Sequence, residues 1–257
     1  MADLVSLDAH AHFDPARVPE ELAGAGAVLA MTLSPGEAAT VLDRHREGVL
    51  PIAWGVGCHP RKIVAQQAFD AAQFAELVQR TAVVGEIGLD TGSQVPLERQ
   101  LHTFRQALAV VAGLPRIVSI HSYQATRPVL DELRRQPVAI PILHGWFGTV
   151  AESREAVALG CYFSVHSQVA RHSKFRTAVP PERLLVESDH GWGDPPAAIP
   201  CRIEWVEWLL SQQLRTTRQE VRRLSWRTLA TLVSQTGTRH LLPASLVTLL
   251  DNAGSAA

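Results

Sequence analysis

Residues 6–14, SLDAHAHFD, set Asp8, His10, His12 and Asp14 among the small or apolar residues Ala9, Ala11 and Phe13. In an extended strand, side chains two residues apart share a face, so His10 and His12 would stand side by side and aim at one point. Two imidazoles so aimed can grip one cation. They can equally be hydrogen-bonded groups lining the polar end of a barrel, and the rest of the chain has to separate these readings.

The same chemistry recurs near the ends of other short apolar runs. His59 ends IAWGVGCH, Glu86 lies in AVVGEIGLD with Asp90 at its end, and His121 lies in RIVSIHS. His144 lies in IPILHGW, His166 in CYFSVHS, and Glu187 and Asp189 in RLLVESD. Only 11 of the 257 residues are His, yet most of these runs carry one. Neutral imidazole and carboxylate are the usual ligands of a hydrolytic divalent metal. As a set these residues point to a metal site, provided the fold gathers the run ends in one place.

The element pattern supplies such a fold. Eight runs read as strands: 6–12, 26–33, 52–59, 82–90, 116–122, 140–146, 161–167 and 183–189. Between them, LERQLHTFRQALAVVAGL repeats apolar residues three or four apart (Leu97, Leu101, Phe104, Leu108, Val111), and AESREAVALG does so at Ala156 and Leu159. Strands alternating with helices imply a parallel sheet. Eight such units in about 250 residues suit an α/β (β/α)8 TIM-type barrel, whose active site lies at the C-terminal ends of the strands. The doubly wound sheet is the alternative, but it calls for a Gly-rich phosphate turn after strand one, where this chain has HAHFDP. IEWVEWLLSQQL and TRQEVRRLSWRTLATLVSQ follow as extra C-terminal helices. The whole of 1–257 reads as one barrel domain, with AGSAA frayed at its end.

Composition bounds the function classes. The chain is 46% hydrophobic and 19% charged with a formal net charge of −1, so no global basic field announces a nucleic-acid binder and any phosphate recognition must be local. Cys58, Cys161 and Cys201 are far apart and odd in number, which argues against disulfides and for a reducing compartment. The start MADLVSLD lacks a basic, apolar leader and no run is long enough to span a bilayer, so a cytoplasmic protein without a membrane partner is expected.

In order along the chain, DAHAHFD, GVGCHP, GEIGLD, SIHS, LHGWFG, FSV and LLVESD resemble the TatD family of metal-dependent hydrolases, within the amidohydrolase-like barrels. VGEIGLDTG, SIHS and LGCYFSV are in addition similar to the TatD-like component of Qat-type anti-phage systems. The family resemblance implies a TIM-type barrel with two divalent metal ions (Zn, Mn or Mg) that hydrolyses phosphodiesters, often as an exonuclease on DNA. It implies that His10, His12 and Asp189 hold one ion, that His121 and His144 hold the other, and that Glu86 bridges them. Asp189 and Glu86 are then the catalytic carboxylates and His59 faces the substrate phosphate. The carboxylated Lys that bridges metals in many related barrels has no counterpart, because Lys62 and Lys174 do not lie at the end of strand four. DNA, single-stranded or bound by its end, is the expected substrate, and protein partners in a defence complex are implied by the narrower likeness.

Four features depart from the family: Thr91 in place of an aromatic, His166 in place of a small or hydroxyl residue, His190-Gly191-Trp192 after Asp189, and no recognisable Asn element in QTGTRHLL. They leave the ligands intact and alter the substrate pocket. Arg61 and Lys62, in the CHPRK turn, are candidates for a neighbouring phosphate. Trp146, Phe147 and Trp192 would stack on bases if exposed, and are loop core if they turn inward. Cys58 is a weak ligand candidate beside His59, and Arg215, Arg218, Arg222, Arg223 and Arg227 read as a solvated helix face. Two other readings use the same residues: a hydrolase of small cyclic amides or esters, and a non-catalytic barrel subunit of a defence assembly.

Overall fold

A computed structural model describes residues 4–14, 26–44, 51–191 and 202–255. Eight parallel strands, β1 (Leu7–Ala11), β2 (Ala27–Met31), β3 (Ile52–Val56), β4 (Val83–Gly88), β5 (Ile117–His121), β6 (Ile140–His144), β7 (Tyr162–Val165) and β8 (Leu184–Val186), pair in sequence order. Each lies inside the run expected of it. The expected runs were longer at their C-terminal ends, so His12, His59, Asp90, His166 and Asp189 sit just past the last paired residue. The ring closes where β1 meets the exit of β8: His12 N–H donates to the His190 carbonyl (2.7 Å) and Asp189 N–H to the His10 carbonyl (3.0 Å). This is the (β/α)8 TIM-type barrel.

Helices α1 (Pro35–Arg44), α2 (Ile63–Gln67), α3 (Ala71–Val78), α4 (Leu97–Gly113), α5 (Thr126–Arg135), α6 (Val150–Ala158) and the short α7 (Lys174–Thr177) lie between successive strands. On α4 the expected stripe buries Phe104, Leu108 and Val111, while Leu97 at its start stays partly exposed. Thr149 and Glu152 form a capping box that starts α6 immediately after the HGWFG turn.

Three more helices, α8 (Glu204–Leu214), α9 (Arg218–Thr236) and α10 (Ala244–Ser255), follow β8. Trp226, Leu229 and Leu232 of α9 and Leu246 and Leu250 of α10 join one buried cluster with Leu7, Ala27, Val83, Ile117, Ile140 and Tyr162, the first residues of six strands. They therefore cover the end of the barrel opposite the histidines. Two expectations change here. Helix α10 runs to Ser255, so the AGS of the expected frayed tail is its last turn. Arg222 is not on a solvated face: its guanidinium forks onto buried Glu207 (2.6 and 2.7 Å) and donates to the Leu4 carbonyl (2.9 Å). Among the described residues no helix is long and apolar enough to cross a membrane.

Candidate metal centre

The period-two pattern of β1 turns Asp8, His10 and His12 to one side. His10 Nδ1 lies 2.8 Å from the Ser119 hydroxyl on β5. His12 Nδ1 donates to the Met31 carbonyl on β2 (3.0 Å), which puts an Nε2 lone pair toward the cluster. Asp8 is not part of the cluster. It accepts from Ser188 N–H (2.9 Å) and Ser188 Oγ (2.5 Å), tying β1 to the turn that carries Asp189. Asp14 lies past the strand and is exposed.

Glu86 is the hub. Its Oε1 meets His121 Nδ1 and His144 Nε2 (2.9 Å). Its Oε2 lies 3.1 Å from His59 Nε2, 3.2 Å from His12 Nε2 and 3.7 Å from His10 Nε2. Asp189 Oδ1 stands 3.9 Å from His10 Nε2. Thus strands that are distant in sequence bring His10, His12, His59, Glu86, His121, His144 and Asp189 together. His10, His12 and Asp189 form one group whose ligand atoms all lie within 4.8 Å of one another, and His59, Glu86 and His121 form a second.

Two buried carboxylates, named in the sequence reading without a role, orient rings from outside. Asp90 Oδ2 faces His121 Nε2 (3.0 Å), the carboxylate–histidine arrangement that fixes an imidazole, and Glu187 Oε1 lies 3.4 Å from His144 Nδ1, an ion-pair contact without a hydrogen bond among the described residues. Glu187 Oε1 also accepts from Gly145 N–H (2.9 Å). Asp90 and Glu187 sit at even spacing from Glu86 and Asp189, so their placement on the same face was readable from the period of two; the rings they would hold were not.

The electrostatics favour added positive charge. Burial would push Glu86 up, but His59, His121 and His144 outweigh it and hold it well below the ordinary carboxylate range. Burial pushes Glu187 up, and His144 draws it down to about 2. Burial also works against protonated His144, yet Glu86 and Glu187 raise it well above the ordinary range. His10, buried and stacked on His144 (ring centroids 3.8 Å apart), is pushed down to about 3, so its ring is neutral with a lone pair to offer. His59 falls to about 4 through burial. Burial lifts Asp189 to about 7, partly offset by His144.

The donor set fits divalent metal. His12 Nε2 and Glu86 Oε2 are two acceptors facing each other across 3.2 Å, which is a place for a cation. Glu187 Oε2 is buried with no hydrogen-bond partner among the described residues. Imidazole and carboxylate together suit borderline ions such as Zn or Mn better than Mg, which prefers oxygen.

The substrate candidates divide. Arg61 lies on the rim, half-exposed, 3.6 Å from Asp90. His59 Nδ1 accepts Arg61 N–H (3.0 Å), so the neutral ring carries its hydrogen on Nε2, where it faces Glu86 Oε2 at 3.1 Å. Trp146 does not stack on substrate. Its indole is fully buried, donates to Ser153 Oγ (2.8 Å) and packs on Phe163, because Gly145 at φ 51° breaks the strand alternation and turns the next residue inward. Phe147 and Tyr123 are exposed in its place. Cys58 is buried, which pushes its thiol up to about 12, and its Sγ accepts from Gln66 Nε2 (3.5 Å). Trp192 and Cys201 lie outside the described residues. His190 and Gly191 do have a place, since Gly191 at φ 84° sits where a Cβ would come within 2.6 Å of the His12 carbonyl.

A family profile described as TatD related DNase matches residues 7–234. Human deoxyribonuclease TATDN3 is 30% identical over 120 residues, 43% of this chain and 43% of the human protein. The 3'-5' ssDNA/RNA exonuclease TatD of Cronobacter sakazakii is 31% identical over 170 residues, 62% of this chain and 63% of that protein. The chain thus matches less than two thirds of the length of these relatives. The crystal structure of YJJV, a TatD homologue from Escherichia coli K12, superposes with a TM-score of 0.76 over 88% of this chain and 97% of that one, at 23% identity. At that identity the superposition speaks for the fold.

Proposed function

Because the chain belongs to the TatD-related DNase family, we propose that it is a metal-dependent nuclease that hydrolyses phosphodiester bonds of DNA, taking a single-stranded end. The observation that carries this reading is the convergence of five imidazoles on the buried Glu86, beside Asp189, beneath a cavity that His121, His144 and Asp189 line at the C-terminal end of the strands. Two divalent ions, one on His10, His12 and Asp189 and one on His121 and His144 with Glu86 between them, would polarise the phosphate and make a water acidic near neutral pH.

The remaining work falls to the protein. Asp189 takes a proton from the attacking water, and cations beside it would keep its carboxylate ionised and ready to accept that proton. Its φ of 55° is uncommon for a residue with a side chain, and the Ser188–Asp8 bonds hold the turn that imposes it. His59 Nε2, 3.1 Å from Glu86 Oε2, steadies that carboxylate, and Arg61 on the rim offers a charge to a substrate phosphate. Asp90 and Glu187 keep His121 and His144 aimed. As the water oxygen bonds to phosphorus, the phosphorus–oxygen bond to the sugar of the remaining strand breaks, and the departing sugar oxygen takes up a proton to leave as a hydroxyl.

The test is cleavage of labelled single-stranded DNA, single-stranded RNA and duplex DNA by chelator-stripped protein reloaded with Mn, Zn or Mg. Single-stranded DNA is cut only after reloading, and Asp189→Asn lowers the rate by about 10²–10⁴-fold. Failure to cut any nucleic acid with any of the three ions overturns the proposal.

A further inference from the structure

Two aromatic rings stand exposed over the histidine cluster. Tyr123 follows β5 and Phe147 follows β6; they are 43% and 42% exposed and meet edge to face at 6.1 Å. The ring of His166, after β7, lies 6.1 Å from Phe147 on the other side. All three line a cavity of about 260 Å³ that also touches His144, Asp189 and Arg61. Trp146, one residue before Phe147, is fully buried and supplies the aromatic anchor of this turn, while Phe147 keeps a face open to the cavity.

The loops hold these rings in place. Thr91 Oγ1 donates to the Gln124 carbonyl beside Tyr123 (2.9 Å). Lys174 Nζ donates to the Gly148 carbonyl beside Phe147 (2.9 Å). His166 Nδ1 accepts from Gln168 N–H (3.3 Å), and its Nε2 lies where a Cβ on Gly145 would be 3.2 Å away, so a glycine there lets the ring lean toward the cluster. An ordered, exposed aromatic surface that opens onto a metal centre has the chemistry of a nucleobase platform, since every base presents a π face.

We propose that Tyr123, Phe147 and His166 form a base-binding wall that holds the terminal nucleotide of a single strand, with its phosphate toward Asp189. The inference rests on the nuclease reading. Stacking needs a base face unpaired and turned out of a duplex, so the wall favours a frayed or single-stranded terminus and tolerates any base there.

The experiment compares kcat/KM on single-stranded DNA whose terminal nucleotide is normal with DNA whose terminal nucleotide is abasic, at the 3' and at the 5' end. The metal-loaded protein is set beside Tyr123→Leu, Phe147→Leu and Phe147→Tyr, with circular dichroism and thermal unfolding to show that each is folded. The native enzyme prefers the base-bearing terminus at one end by roughly 5- to 150-fold, the range found at base-stacking aromatics. Phe147→Leu, which keeps apolar bulk without a ring, and Tyr123→Leu each lose most of that preference, whereas Phe147→Tyr keeps it. Equal cleavage of both substrates by the native enzyme, or an undiminished preference in both Leu variants, overturns the wall and leaves the nuclease reading standing. No cleavage of either substrate overturns both.

Discussion

At Glu86 two carboxylate oxygens meet five ring nitrogens. Glu86→Gln keeps shape and removes the charge that offsets both protonated imidazoles and metal. The expected outcome is loss of at least about 10²-fold in nuclease rate, together with weakened metal binding. Circular dichroism should show a folded protein, because the barrel core lies in other clusters. Rate, bound metal and melting temperature are measured side by side, and a native rate in Glu86→Gln would mean that the cluster is not the reaction centre.

Among the elements, the turn after β8 and helix α7 carry the clearest consequences. Gly191 takes a left-handed φ of 84° and abuts the His12 carbonyl, so Gly191→Ala must strain the turn and push the end of β1 that carries His10 and His12. A loss of more than about 1 kcal/mol in stability is expected, with weaker binding of Mn by calorimetry. Unchanged Mn affinity would show that the two chain segments yield independently. Helix α7 begins at Lys174, which is buried against Gly148 and pushed down to about 8 by burial, with Glu152 pulling the other way. The folded state therefore gives up this proton before the unfolded state, whose lysine titrates near 10.4. Below about 8 both states hold the proton and the full penalty applies; between about 8 and 10 the unfolded state binds more protons, so stability rises with pH. The melting temperature of the native protein minus that of Lys174→Met should grow between pH 7 and pH 9.5. A constant difference would mean that the ammonium is solvated.

Across the whole molecule, stability and chemistry occupy opposite ends of one barrel. Trp226 anchors α9 in the cluster beneath the strand starts, and its Nε1 donates to the Val5 carbonyl (2.9 Å). Trp226→Ala should cost about 3–5 kcal/mol, a fall of roughly 6–20 °C in melting temperature. Below the transition the rate per folded molecule should stay within about twofold of native, since the cavity left lies at the far end from the histidines. A large drop in kcat without a drop in melting temperature would mean that the two ends are coupled.

Much of this architecture is local in origin and so was readable before any fold was known. Alternating residues in DAHAH must share a face, apolar runs ending in His or carboxylate must present them together if the strands are parallel, and strand–helix alternation leaves few ways to be parallel. What depended on tertiary structure is what needs two distant segments at once. Whether Trp146 or Phe147 meets solvent turned on one left-handed glycine that shifts the alternation by a residue. That Asp8 serves Ser188, that Asp90 and Glu187 each steady a particular ring, and that Arg222 is spent on Glu207 follow from contacts spanning 15 to 180 residues. Most of all, the five imidazoles become one site only because the barrel closes between β1 and the exit of β8: closure is a property of the whole ring of strands, and no single strand encodes it.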